Sequence, residues 1–109
     1  MQFTRGDTFK FKFQRIDGNG EVITTKADKV WFTVKDNYYT EKIIIQKTLE
    51  SEDITYDSEY FYHVTIDNQD TQNLSYKKYV CDIQVENSGI VKTIFKDDFI
   101  LTEEATFEV

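Results

Sequence analysis

A chain of 109 residues carrying a formal net charge of −7 has the length of one domain. Its acidity argues against nucleic-acid and anionic-membrane partners, both of which draw on basic patches. Aromatic residues make up 16%, proline is absent and only four glycines occur, which favours strands and excludes collagen-like and low-complexity classes.

In chain order, residues 2–5 read as a short first strand, interrupted at Arg5-Gly6-Asp7. Phe9, Phe11 and Phe13 then alternate with Lys10, Lys12 and Gln14, the pattern of a strand with one face buried. Asp17-Gly18-Asn19-Gly20 predicts a tight turn, because Gly and Asn tolerate positive φ. Residues 21–25 predict a short return strand. Val30, Phe32 and Val34 alternate with Trp31, Thr33 and Lys35 in a stronger one. Residues 43–48 predict an apolar strand at a central or inter-sheet position. The acidic stretch 50–59 predicts irregular chain, with Ile54 and Tyr56 packing down. Tyr62, Val64 and Ile66 alternate with His63 and Thr65.

A polar helical turn over residues 67–74 leads into the most regular strand of the chain. There Tyr79, Cys81, Ile83 and Val85 share one face, and Val80, Asp82 and Gln84 share the other. A Tyr two residues before a Cys, after a corner, is the pattern of the tyrosine corner of immunoglobulin-like sandwiches, whose hydroxyl bonds back to the corner backbone. Asp70, Leu74 and Tyr79 are therefore the predicted corner residues. Asn87-Ser88-Gly89 predicts a hairpin turn into residues 91–95, Lys96-Asp97-Asp98 a kink or bulge, and residues 99–109 a closing strand. Tyr79, Cys81, Ile83 and Val85 are expected to face Phe9, Phe11, Phe13, Val30, Phe32 and Val34 across one core. Seven to nine short strands with turn signals between them predict an all-β sandwich or barrel.

The motifs that carry chemistry are few. Arg5-Gly6-Asp7 matches an integrin-recognition tripeptide, yet at a strand junction its glycine and aspartate serve a local turn. Asp17, Asn19 and Gly20 fit part of a calcium loop, but the same frame puts the cations Arg15 and Lys26 at ligand positions. No metal site is expected. His63, the single histidine, lies opposite Val64 in strand alternation, away from the face that carries Cys81. No nucleophile–base pair is expected between them, and Cys81 reads as a small buried hydrophobe. Asp97-Asp98 and Glu103-Glu104 are adjacent carboxylates, which point to opposite faces in a strand and do not converge. One cysteine allows no intrachain disulfide. No apolar run approaches the roughly 20 residues of a membrane span. The start, Met1-Gln2-Phe3-Thr4-Arg5, lacks the charged-then-apolar shape of a secretory signal.

Trp31 has two readings. If Val30, Phe32 and Val34 fill the core, Trp31 stands outside and forms a docking patch with Val80 on the neighbouring strand. A one-residue register shift instead puts it in the core beside the cysteine, as in true immunoglobulin domains.

These motifs occur in a familiar order: Arg5-Gly6-Asp7-Thr8 and alternating Phe, then Asp17-Gly18-Asn19-Gly20, Lys29 to Lys35, Asp70-Thr71 with Leu74, and Tyr79 to Val85. A Gly-containing turn and Phe99-Ile100-Leu101-Thr102 complete it. The order resembles the N-terminal immunoglobulin-like domain of Gram-positive phage baseplate upper proteins and of similar small prophage structural proteins. Cys81 stands where that pattern has a second aromatic. The sequence ends at Val109, where baseplate upper proteins continue into coiled or receptor-binding regions. The resemblance implies an immunoglobulin-like antiparallel β-sandwich over residues 1–109 and a virion scaffold part without enzymatic activity or cofactor. It would dock onto other tail or baseplate proteins or onto copies of itself, in the virion or, before assembly, in the host cytoplasm. A second expectation is a carbohydrate-binding module stacking sugars on exposed Trp31, Tyr38 and Tyr39.

Overall fold

The computed structural model describes residues 1–103. Eight strands and one helical turn follow in order: β1 (Gln2–Thr4), β2 (Phe9–Gln14), β3 (Lys29–Lys35), β4 (Ile45–Thr48), β5 (Ile54–Tyr56), β6 (Phe61–Ile66), α1 (Asn68–Thr71), β7 (Lys78–Asn87) and β8 (Ile90–Thr102). Five strands form one sheet in the order β1-β8-β7-β3-β4, and three form the other in the order β2-β6-β5. Placing β3, β7 and β8 in one sheet and β2, β6 and β5 in the other reproduces the C-F-G and B-E-D groupings of an immunoglobulin-like sandwich. All pairings are antiparallel except β1 with β8, which is parallel over Ile100–Thr102.

The alternation in β3 and β7 is what sets the core. Val30, Phe32 and Val34 are buried on β3, and Tyr79, Cys81, Ile83 and Val85 on β7. Phe99 and Leu101 of β8 extend the same face of that sheet, and Tyr62, Val64 and Ile66 face it from β6. Phe32 meets Phe11 edge-on at 5.1 Å between centroids and lies 6.4 Å from Phe99. The register-shifted reading of Trp31 is thereby excluded: Phe32 supplies the buried aromatic of this strand, and Trp31 is half-buried on the other face. Phe9, Phe11 and Phe13 pack against the core but stay partly exposed, because β2 is an edge strand of its sheet.

Several expectations are corrected. Residues 21–25 form no strand; one bridge, Ile16 with Val22, closes the turn, with Gly20 at φ +81°. The strand expected from residue 43 begins at Ile45 and lies at a sheet edge; just before it, Ile44 N–H donates to Val34 O and Lys42 N–H to Thr40 Oγ1. No kink occurs at Lys96 to Asp98, which pair in register with Asp82, Cys81 and Val80. The irregularity lies lower: Ile83 pairs with Phe95 but Gln84 with Thr93, so Ile94 is the extra residue of a bulge. The last strand is followed to Thr102; residues 104–109, including Glu104 of the second carboxylate pair, lie outside the described residues. Ser88 (φ 51°) and Gly89 (φ 81°) make the predicted hairpin turn into β8, with both central residues at positive φ as a primed turn requires.

The corner is built as its residue types suggest. Tyr79 is 2% exposed, and its hydroxyl donates to Ser75 O at 3.0 Å. Leu74 packs against the core, and its carbonyl accepts from Arg5 Nη1 at 3.2 Å. Asp70 caps the helical turn: its Oδ2 accepts Asp67 N–H at 2.8 Å. The same oxygen accepts the ammonium of Lys47, from β4, at 2.8 Å. Lys47 is 8% exposed, so this carboxylate neutralises a nearly buried cation. Asp70→Ala is expected to cost about 1–3 kcal/mol, because it strands that cation and opens the cap. Urea melts of Asp70→Ala and of Asp70→Ala with Lys47→Met check this. The double variant should recover part of the loss, since the stranded charge is gone.

Candidate docking edge

β8 is longer than its coverage. On the side away from β7, β1 covers it only at Ile100, Leu101 and Thr102, with Met1 extending the contact to Asp98. The Met1 ammonium donates to Asp98 O at 2.9 Å and to Asp97 Oδ2 at 2.7 Å. Among the described residues, no strand pairs with residues 90–97 on that side. The burial pattern records the consequence: β7 alternates buried and half-buried, whereas β8 is exposed at every position from Ile90 to Lys96. Alternation is lost because the opposing sheet ends at β2 and does not close over this half of β8.

Four large apolar side chains lie in this stretch: Ile90 at 67% exposure, Val91 at 51%, Ile94 at 41% and Phe95 at 39%. Between β2 and β8 the sandwich is open, and a groove there is lined by Met1, Phe11, Phe13, Ile83, Ile94 and Phe95. It continues toward the turn end past Ile16, Ile23, Val85 and Ile90. Scattered single apolar residues on a surface are ordinary, whereas a contiguous set beside an unpaired strand edge makes this stretch the candidate site.

The residues singled out from the sequence lie elsewhere. Trp31 and Val80 do share the outer face of the five-stranded sheet, both half-buried. They do not form one patch. Trp31 is paired with Gln84, and Val80 with Lys35, four positions and about 14 Å further along the strands. Val80 is also lined over by Tyr38 of the β3–β4 loop, whose hydroxyl donates to Cys81 O at 3.2 Å. Tyr38 is therefore a roof over this face, and burial raises its pKa. The Asp82 carboxyl beneath it is raised too, by burial, against the lowering pull of Lys35 and Lys96. Tyr39, next along the loop, is 98% exposed on a turn fixed by Asn37 Oδ1, which accepts the amides of Tyr39 and Thr40.

Arg5-Gly6-Asp7 is tied into the fold. Gly6 sits at φ +85° and its N–H donates to Thr71 Oγ1 at 3.0 Å, while the Arg5 guanidinium lies 4.0 Å from the centroid of the Tyr76 ring. His63 meets Asp57 at 2.7 Å. That carboxylate also accepts the amides of Glu59 and Phe61, so it is the clamp of a turn. The His63 hydrogen bond, then the Phe61 amide, holds the Asp57 carboxyl below its ordinary range. Burial pushes the Cys81 thiol up to about 11, which leaves it protonated and unreactive at neutral pH. Among the described residues, no cluster of three or more His, Cys, Asp or Glu side chains could hold a metal ion, and no helix is long and apolar enough to cross a membrane.

The free edge of β8 was not legible in advance. The run Ile90-Val91 and Ile94-Phe95 was the available signal, since apolar pairs without strict alternation put side chains on both faces of a strand. A scan against protein-family models and a search of curated proteins each returned no match for this sequence.

Proposed function

We propose that this chain is a structural docking module of a phage or prophage tail or baseplate, and that it engages its neighbour through the open edge of β8. The supporting observation is the uncovered stretch from Ile90 to Asp97, with its four exposed apolar side chains beside an open groove. The phage class comes from the order of sequence motifs, which resembles the immunoglobulin-like domain of baseplate upper proteins. An edge of this kind offers main-chain hydrogen bonds for affinity and side-chain pockets for selectivity.

The sugar-binding alternative calls for a planar row of exposed aromatics. The exposed tyrosines are instead dispersed: Tyr38 and Tyr39 on the β3–β4 loop, Tyr60 before β6 and Tyr76 before β7. Tyr38 and Tyr76 are engaged with backbone carbonyls and a guanidinium.

The test is co-expression with the products of adjacent genes, followed by size-exclusion chromatography with light scattering. Ile90→Ser with Ile94→Ser is expected to abolish the complex. Its melting temperature should stay close to that of the parent chain, since exposed positions usually change stability by within about 0.5 kcal/mol. Trp31→Ser should leave the complex intact. Loss of the complex on Trp31→Ser, with Ile90→Ser and Ile94→Ser still assembling, would move docking to the outer face.

A further inference from the structure

We infer that the opening between β2 and β8 receives an extended segment of another protein as an added strand, parallel to β8 along residues 90–97, with acidic residues among apolar ones. The inference rests on the docking function proposed above and names the chemistry of the partner.

The slot is a missing strand position. A constant-type immunoglobulin sandwich has the four-strand sheet A-B-E-D, with strand A beside strand B. Here that sheet stops at β2, and the first strand lies on β8 instead, over three residues. Among the described residues, one side of the sandwich thus has two facing free edges, β2 and the half of β8 before Asp98, and between them a groove walled by Phe13, Ile83, Ile94 and Phe95. A single extended segment occupies such a space. Its backbone pairs with an edge, and alternate side chains enter the groove.

The direction follows from β1. That strand is parallel to β8, and it begins where the free edge ends: Met1 O accepts Ile100 N–H at 2.9 Å, and the Met1 ammonium reaches Asp98 O. A segment in line with β1 and of the same polarity fills residues 90–97, a span of about 26 Å at strand spacing.

The charge requirement follows from the lining. Lys92 lines the groove beside Asp17, and Lys96 stands exposed on the same edge, in a protein whose net charge is −7. An acidic segment is attracted locally, whereas the whole surface repels a second copy. The edge itself also rejects a copy. In the two-fold antiparallel register centred on Ile94, Lys92 of one chain opposes Lys96 of the other, and like charges directly opposite destabilise a strand pair. The bulge at Ile94 and the two lysines are devices by which natural edges avoid pairing with themselves.

The experiment uses three synthetic octapeptides: alternating valine and glutamate, alternating valine and lysine, and the first with a central proline. Binding to the full chain is read by fluorescence anisotropy, and its location by amide hydrogen exchange. The valine–glutamate peptide is expected to bind and to slow exchange within residues 90–97. The valine–lysine peptide should bind about tenfold more weakly, the effect of a few cross-strand charge pairs. The proline peptide should not bind, since it loses a ladder donor. Lys92→Glu should remove the preference. Equal affinity for both charges, protection away from residues 90–97, or a dimer of the chain that protects this edge would each overturn the inference. If no peptide binds while Ile90→Ser with Ile94→Ser still breaks the partner complex, strand addition is wrong and docking stands.

Discussion

Tyr79→Ala is expected to remove about 3–5 kcal/mol of stability, the range for deleting a large buried aromatic side chain. For a domain whose total is on the order of 5–15 kcal/mol, that is a large share of the stability. The ring is 2% exposed, paired opposite Phe99 on β8, with the Lys77 ammonium 4.9 Å from its centroid. The hydroxyl is a smaller part of the effect. It donates to Ser75 O, and Ser75 is exposed, so water replaces the lost donor. Tyr79→Phe should therefore cost only about 1 kcal/mol. Urea and thermal melts decide. A cost for Tyr79→Ala of under about 1 kcal/mol would show that the corner does not hold the β7 strand in place.

Tyr62→Phe is expected to cost more than Tyr79→Phe, about 2–4 kcal/mol, although the same atom is removed. The Tyr62 hydroxyl accepts Ala27 N–H at 2.9 Å and Arg15 Nε–H at 3.3 Å. Ala27 is 3% exposed and Arg15 7%. Deleting the oxygen strands a buried amide and one donor of a buried guanidinium, and each orphaned donor carries its own desolvation penalty. The remaining Arg15 contact, from Nη2 to Thr25 O, holds the cation but does not reach Ala27. Equal costs for the two Tyr→Phe variants would mean that water enters beside Tyr62.

How much of this was legible depended on whether a feature is written in one strand or between strands. The core faces of β3 and β7 were readable, because period-2 alternation states directly which side chains share a face. The corner was readable because Tyr79, Leu74 and Asp70 lie close together in the chain. The link from Asp70 to Lys47 was not, because it joins two elements whose juxtaposition no local pattern encodes. Trp31 and Val80 show the same division. Their common face followed from alternation, but their separation follows from strand register, which the rest of the sheet sets. The parallel β1–β8 pairing spans almost the whole chain and involves three residues, too few to carry a pattern. Because the short β1 leaves residues 90–97 of β8 uncovered, the candidate docking edge showed in the sequence only through the apolar pairs Ile90-Val91 and Ile94-Phe95. The bulge at Ile94 contains no glycine to announce it.

The most direct measurement is amide hydrogen exchange across β8, in the free chain and in its complex with whichever co-expressed neighbouring gene product it binds. Docking at the open edge predicts that exchange slows on binding within residues 90–97, while the β3–β4 loop around Tyr39 and the outer face around Trp31 are unchanged. Slowed exchange at Tyr39 or Trp31, with residues 90–97 as fast in the complex as in the free chain, would contradict it.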